Sequence, residues 1–396
     1  VNILDLLLIL AAIGFAVSGY RQGFVVGFLS VLGFVGGGVL AVSLLPLVLD
    51  RMEAGTTASV VAVVSVIVLA SLGQALTTHF GNKLRDHLTG LRGVSVVDAI
   101  GGALINVLSV LVVAWLLGSA LAGTSLPTVS KEVRSSVILG KVQRAMPNEA
   151  SSWVAGLGRT LAANGFPQVF QPFQNEQITD VPPPDPKLAS SQAVQRAKGK
   201  IVKITGTASG CGKMLEGTGF VYAPNRVMTN AHVVGGVDEP TVQISGEGKL
   251  LDAEVVLYDW RRDIAVLEVP GLNVKPLEFA ERDARVQDGA IVAGFPENGG
   301  FDVRPARVRG RINAAGPDIY QRGNVTRDVY SLYATVRQGN SGGPLLNTAG
   351  DVVGVIFAKS LDDDSTGYAL TLDEIQEDIR AGKRSTEPVD TQNCAL

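Results

Sequence analysis

The sequence predicts a multi-domain protein: an all-α transmembrane region of four helices, followed by an all-β domain. Three observations carry this reading. Mean hydropathy is +0.27 and charged residues make up only 18% of the 396, too apolar for an ordinary soluble chain, and the excess lies in the first third. Four apolar runs in that third each approach the ~20 residues a bilayer requires. From Lys200 onward, short β-rich runs alternate with glycine and turn residues, the spacing of a sandwich or a pair of barrels rather than of an α/β sheet.

Residues 3–19 form the first apolar run, and Phe24–Leu45, Ala58–Thr78 and Asp98–Ala120 form the others. A cleaved signal peptide would account for the first run alone, and no basic segment precedes it. Gly33, Gly36, Gly37 and Gly38 in the second span and Gly101 and Gly102 in the fourth suit a closely packed helical bundle. Asp5, Asp98 and Asn106 either line a polar path or sit at helix ends, and the second reading is preferred. Arg21, Lys83, Arg85 and Arg92 fall in the first and third loops, against Arg51 in the second and Lys131 and Arg134 after the fourth span. The positive-inside rule then puts both termini outside the cytoplasm. Hydropathy and glycine content make this region (1–122) similar to the four-helix membrane region of CvpA-type, colicin V production proteins.

A connector, 123–187, separates the two parts. Val133, Val137, Leu139 and Val142 suggest a short helix after Ser130. Trp153, Val154, Leu157 and Leu161 suggest another over Ser151–Ala163. The run Val181-Pro182-Pro183-Pro184-Asp185-Pro186 lacks amide donors and acts as a semi-rigid spacer, which sets the domain boundary. A helix over Leu188–Lys198 opens the second domain (188–396). Strands are expected at Ile201–Thr207, Gly217–Ala223, Thr241–Ile244, Ala253–Tyr258, Ile264–Val269, Ala290–Phe295, Arg304–Ile312, Asp328–Tyr333, Gly342–Leu346 and Val352–Phe357, with a closing helix at Leu372–Ile379.

The chemistry centres on Gly339-Asn340-Ser341-Gly342-Gly343-Pro344. A serine between glycines can present its hydroxyl from a tight turn, but it needs a base to take its proton and N–H donors aimed at the developing oxyanion. Gly339 allows the chain to turn its own N–H and that of Ser341 the same way. The chain has three histidines, and His79 and His87 fall in the third membrane loop. His232 is therefore the one histidine of the β domain, and an imidazole suits a general base near neutral pH. Asp263 precedes the strand Ile264-Ala265-Val266-Leu267 and is the candidate for orienting it.

The nucleophile turn, Thr229-Asn230-Ala231-His232-Val233-Val234 and Asp263 together resemble the chymotrypsin-like serine proteases, the turn in the form common in the HtrA group. The order His232, Asp263, Ser341 is that of the family. The resemblance implies a chymotrypsin-like double β-barrel, with His232 as base, Asp263 as orienting acid, Ser341 as nucleophile, and Gly339 and Ser341 amides as the oxyanion hole. It further implies an S1 pocket with Thr335 near its base and Phe357, Ala358 and Lys359 on its wall. No aspartate stands at that base, which argues against Arg or Lys at P1 and for a small or medium apolar residue. Phe357 takes the place of a serine that supports the aspartate in the digestive enzymes, so the support of Asp263 must differ. The stretch after Phe357 is too short for the PDZ domain usual in HtrA proteins.

A multi-span membrane region, a proline linker and a trypsin-like domain without PDZ resemble the actinobacterial MarP-type membrane serine proteases, associated with acid resistance. That resemblance implies a multi-pass protein of the cell membrane, with the protease on the periplasmic side and cell-envelope proteins as substrates. Cys211 and Cys394, the two cysteines, either pair or remain free thiols. Outside the cytoplasm pairing is expected, and such a bond would be a candidate for tuning activity under oxidative stress. Their spacing excludes a zinc site, and no metal or cofactor is expected. A net charge of −3 gives no footprint for nucleic acid. Competing readings are a transport or colicin-uptake protein whose β domain senses or binds peptides, and an inactive pseudoprotease. The intact triad speaks against both. Autocleavage between Ser130 and Asp180 is a candidate activation step.

Overall fold

The computed structural model describes residues 2–49, 56–88, 94–122, 127–147 and 166–395, apart from 172, 175 and 177. The helix expected at Ser151–Ala163 lies outside the described residues. The chain divides into two compact units, Val1–Leu121 with Glu132–Met146, and Ala122–Lys131 with Pro147–Leu396.

The first unit is built from α1 (Ile3–Gln22), α2 (Phe24–Leu49), α3 (Thr56–Leu88) and α4 (Val94–Ala122). Among the described residues, α1, α2 and α4 carry stretches long and apolar enough to cross a membrane. α3 runs past the expected end at Thr78. His79 and His87 therefore stand on a helix and not in a loop, since no proline interrupts the polar turns that follow. The glycines set the spacing of α2 and α3. A Cβ on Gly33 would lie 2.3 Å from the carbonyl oxygen of Gly73, and one on Gly73 would lie 2.2 Å from that of Gly33. The helices touch backbone to backbone, as small residues permit. Gly36 and Gly38 face open space.

Asp5 and Asp98 are used at helix ends. Asn2 and Asp5 form a reciprocal capping box on α1. The Asp5 carboxylate also accepts from Ser136 Oγ (2.6 Å) and from the amides of Val137 (3.2 Å) and Ile138 (3.1 Å). It thus caps α6 (Val137–Ala145), which follows the short α5 (Pro127–Arg134). Asp98 accepts from the Val25 amide at the start of α2 (3.2 Å). Asn106 donates to the Gly102 carbonyl one turn back on its own helix (3.0 Å).

In the second unit a 3-10 turn, Pro186–Ser190, leads through Ser191 into α7 (Gln192–Lys198). Ser191 accepts from the Val194 amide and divides the single helix expected there, an N-cap function for which serine is suited. Two sheets follow. The first contains β1 (Ile201–Ala208), β2 (Lys213–Ala223), β3 (Arg226–Thr229), β4 (Thr241–Ile244), β5 (Leu250–Asp252), β6 (Glu254–Asp259) and β7 (Ile264–Glu268). Its order is β5-β4-β1-β2-β3-β7-β6. The second contains β8 (Gly289–Gly294), β9 (Asp302–Pro317), β10 (Asn324–Tyr333), β11 (Pro344–Asn347), β12 (Val352–Lys359) and β13 (Thr366–Thr371). It closes as a barrel, β10-β13-β12-β11-β8-β9.

The first sheet has no hydrogen-bonded pairing between its edge strands β5 and β6, so it is a curled sheet rather than a second barrel closed by hydrogen bonds. The edges are joined another way. β5 and β6 are separated only by Ala253, whose amide donates to Pro240. One extended run starts at one edge and, after this bend, ends at the other.

Each sheet encloses its own apolar filling: Val202, Ile204, Val227, Val255 and Leu267 in the first, Val292, Val308, Leu332, Val353 and Ile356 in the second. β7 is buried on both faces. Ala265 and Leu267 join the filling of the first sheet, while Ile264 and Val266 join the core shared with Ile291, Val329 and Phe357. This explains its continuous apolar run.

The C-terminal segment is tied down by covalent and polar bonds. Cys211 and Cys394 form a disulfide across a sequence separation of 183. The Gly236 amide donates to Thr391 (3.2 Å), and the Tyr320 hydroxyl donates to Asn393 (2.9 Å). The closing helix is α9 (Gln376–Arg384), later than expected. Arg226 donates to its last carbonyls, at Gly382 (3.1 Å) and Ser385 (2.8 Å), where a cation also meets the negative end of the helix dipole.

On α9, Asp378 is 5% exposed and lies 3.5 Å from Arg262, which also bonds Asp259 (3.1 Å) and Glu377 (2.9 Å). Burial, with the nearby charge of Asp259, pushes the Asp378 carboxyl up to about 7, against the pull of Arg262. The folded state therefore holds this proton more tightly than the unfolded chain, and stability falls as pH rises from about 4 to about 7. Asp378→Asn, which mimics the protonated form, should flatten that limb and raise stability at pH 8 by on the order of 1–2 kcal/mol. Urea titrations at pH 5 and pH 8 will measure both slopes, and a pH dependence equal to the wild type would exclude Asp378 as its source.

Candidate active site

His232 sits in a single helical turn, α8 (Ala231–Val234), immediately after β3. Asp263 ends the turn between β6 and β7. β3 and β7 are hydrogen-bonded neighbours, with Thr229 opposite Ala265. That register brings two residues 31 positions apart to the same end of the sheet. Asp263 Oδ2 lies 2.7 Å from His232 Nδ1, and Oδ1 accepts from the His232 amide at 2.9 Å. One carboxylate therefore grips both the ring and the backbone of one histidine. Asp263 is fully buried and has φ +66, a region that aspartate tolerates better than most side chains. Its carbonyl accepts from Asn230 Nδ2 (2.7 Å), which holds the strained residue in place.

Ser341 lies on the loop between β10 and β11 and is 3% exposed. Glycine is required on both sides of it. Gly339 has φ +90, and a Cβ there would stand 2.3 Å from the Phe295 carbonyl oxygen. Gly342 has φ +82, and its Cβ would fall 2.2 Å from Thr229 Oγ1 and 2.9 Å from the Asn230 amide. The nucleophile loop thus presses directly against the segment that carries His232. The carbonyl of Ser341 accepts from the Thr218 amide (2.8 Å), which ties the loop to β2.

The loop's own amides sort into two groups. Asn340 donates to Arg337, Gly342 to Ile356 and Gly343 to Asn340. Among the described residues, the amides of Gly339 and Ser341 have no acceptor within the protein. The Gln338 carbonyl accepts from the Glu297 amide (2.8 Å), so in a trans peptide the Gly339 N–H points away from Glu297. The two free donors are the pair that the sequence pattern singles out for an oxyanion.

Thr335 is exposed, between the buried Ala334 and Val336, in the segment between β10 and the nucleophile loop. Phe357 is fully buried on β12, where it joins the shared core. Ala358 and Lys359 pair with Tyr368 and Gly367 of β13.

Three further residues shape the site through partners that only the fold reveals. Thr218, fully buried, donates from Oγ1 to the Gly339 carbonyl (2.6 Å) and accepts from the Phe295 amide (3.0 Å). Asn230 belongs to the motif around His232, but only the fold shows that its side chain bonds the Asp263 carbonyl. Arg327 is 1% exposed, and its guanidinium donates to the carbonyls of Arg261 (2.9 Å) and Pro317 (3.2 Å). Burial pushes this guanidinium down from its ordinary range, and the negative charge of Asp263 is the first influence opposing that. A buried positive charge thus lies within electrostatic reach of Asp263. Among the described residues no cluster of His, Cys, Asp and Glu is arranged to hold a metal.

A base with its ring held by a carboxylate, a serine on a glycine-bounded turn and two unused amides are the parts of acyl transfer by a serine. Residues 217–355 match the family described as Trypsin-like peptidase domain, and residues 4–147 match the family described as Colicin V production protein. The chain is 36% identical over 393 residues to Serine protease Rv3671c of Mycobacterium tuberculosis H37Rv, covering 99% of this chain and 98% of that protein. The crystal structure of Rv3671c protease in its active form superposes with a TM-score of 0.54 at 43% identity, covering 58% of this chain and all of that one. Putative serine protease HhoB of Synechocystis is 32% identical over 223 residues, 55% of this chain and 47% of that protein. The protein is a membrane-anchored serine endopeptidase, and its likeness to Rv3671c over nearly its whole length means that the chain belongs to the MarP-type family of serine proteases.

Proposed function

We propose that this protein cleaves proteins of the cell envelope on the periplasmic side of the membrane, through Ser341, His232 and Asp263. The observation that carries the catalytic assignment is the double grip of Asp263 on His232, at 2.7 Å to the ring and 2.9 Å to the amide. With Nδ1 engaged by the carboxylate, Nε2 is the ring nitrogen left to act as base. Ser341 Oγ attacks the scissile carbonyl carbon as His232 Nε2 takes its proton. The oxyanion that forms is met by the amides of Gly339 and Ser341, and Asp263 stabilises the imidazolium. His232 then returns the proton to the leaving amine as the C–N bond breaks. Water, deprotonated by the same imidazole, releases the acyl group.

Thr335 and the strand Phe357–Lys359 border the S1 pocket in this reading, with an apolar P1 residue preferred. The charge bias of the loops supports four spans with both termini outside the cytoplasm. That orientation agrees with a disulfide in the β unit, since such bonds persist in oxidising compartments. A role in resistance to acid or oxidative stress is a proposal that rests on the family resemblance.

The primary test uses the full chain. A small fluorophosphonate should label Ser341, as mapped by mass spectrometry, and His232→Ala should slow labelling by more than a hundredfold. Labelling that ignores His232 would sink the triad. Applied to intact cells in a membrane-impermeant form, the probe should reach Ser341 without lysis, and labelling seen only after lysis would place the site in the cytoplasm. Asp263→Asn should lower kcat by about 10⁴ through loss of the working tautomer. Thr218→Val removes the donor to the Gly339 carbonyl and should lower kcat about tenfold with KM little changed. A wild-type kcat in Thr218→Val would show that the oxyanion loop holds its shape unaided.

A further inference from the structure

The stretch before the proline run does more than space two units. Val169 is 5% exposed and belongs to the core that holds Ala314, Val329 and Phe357. A Cβ on Gly316 would lie 2.3 Å from the Val169 carbonyl oxygen, so the chain crosses β9 at backbone contact. The Gln171 amide donates to Ala315 (3.0 Å), and Phe170 meets the Tyr368 ring edge to face at 5.5 Å. The Thr179 carbonyl accepts from Arg309 (2.7 Å) and the Pro183 carbonyl from Arg307 (3.1 Å).

The polar centre of this strap is Glu176. Its Oε1 accepts from the Leu361 amide (3.1 Å), and its Oε2 accepts from the Tyr368 hydroxyl (2.8 Å) and the Ser360 hydroxyl. Ser360 Oγ in turn accepts from the amides of Asp362 and Asp363, both at 2.9 Å. Arg309 reaches the far end of the same loop, at Ser365 (3.4 Å) and Asp363 (3.6 Å). Ser360 follows Lys359 directly, and Tyr368 is the β13 residue opposite Ala358. Glu176 therefore touches both the residue after the strand Phe357–Lys359 and the residue beside it.

Enclosing a carboxylate is costly unless several donors meet it. Burial pushes the Glu176 carboxyl above its ordinary range, and the bonds from Ser360, Tyr368 and Leu361 pull it back. A passive spacer has no use for such a group. Without Glu176, two hydroxyls and an amide at the end of β12 would lose their acceptor.

We propose that Glu176 is a positioning residue for substrate recognition, which braces the strand Phe357–Lys359 from behind through Ser360, Leu361 and Tyr368. The working protease then includes the stretch 169–183 and does not start at Leu188, and the chain before the proline run is a structural part of the specificity pocket. This rests on the protease reading of Ser341 and on Phe357–Lys359 as the wall of S1.

The test separates the two levels. Full-length wild type, Glu176→Ala, Glu176→Gln, Ser360→Ala and the Glu176→Ala/Ser360→Ala double variant are compared in detergent by thermal midpoint and by two activity readouts. One is the rate at which a small fluorophosphonate lacking a peptide labels Ser341. The other is KM and kcat over a peptide series varied at P1. Glu176→Ala should raise KM about tenfold and flatten the P1 preference, the loss expected when buried donors lose a charged acceptor. Its labelling rate should stay within twofold of wild type. Glu176→Gln keeps one acceptor and should recover most of the KM, and adding Ser360→Ala to Glu176→Ala should cost nothing more. An unchanged KM and P1 profile in Glu176→Ala overturns the proposal. So does a parallel fall of labelling, kcat and thermal midpoint in all variants, which would make the strap a general support of the fold. If Glu176→Ala does not fold, Glu176→Gln and Ser360→Ala decide, and wild-type KM in both overturns it. Absence of labelling in the wild type would instead refute the protease reading itself.

Discussion

The Asp263 carboxylate is the constraint around which the site is arranged. It is fully buried, and a buried anion must be met by donors or it will not stay charged. His232 supplies two of them, one from the ring and one from the backbone. That double contact sets both the position of α8 and the tautomer of the imidazole. Asn230 holds the Asp263 carbonyl and Arg327 places a positive charge behind it. Because Arg327 reaches Arg261 before β7 and Pro317 at the end of β9, the same side chain also ties the two sheets together.

The nucleophile loop depends on the same seam from the other side. Thr218 on β2 donates to the Gly339 carbonyl and Ser341 accepts from the Thr218 amide. One residue of the first sheet therefore sets the height of the Gly339–Ser341 turn carried by the second. In the membrane unit a different principle operates. Lipid offers little drive for helices to associate, so close backbone contact must do it. Gly33 and Gly73 provide that contact. Asp5 is spent on helix capping, and the bonds seen for Asp98 and Asn106 are likewise to backbone at a helix end and one turn back.

Much of this was legible in the chain. The nucleophile turn, the histidine and the aspartate are local patterns, because tight turns and short loops demand particular residues at particular places. The positive φ of Gly339 and Gly342 is one such demand. Strand positions followed from apolar alternation, with errors where the alternation is weak. β13, short and containing Gly367, was missed. β9 runs further at both ends than its apolar pattern. The expected second barrel is instead a curled sheet joined at its edges through Ala253, since a bend within one extended run leaves no mark in composition.

By itself, the sequence determined the class of chemistry, the candidate residues His232, Asp263 and Ser341 in their order, and the division into an apolar helical part and a β part. Those properties depend on residue type and short-range spacing. Only the tertiary structure decided what supports them: Thr218 on Gly339, Arg327 behind Asp263, and Glu176 against Ser360 and Tyr368. Each of these is an ordinary polar residue in an unremarkable stretch, and its partner lies between 64 and 192 positions away. Nothing local distinguishes a threonine, arginine or glutamate that will be buried from one that will face water. Burial and long-range pairing exist only once the sheets have closed around them.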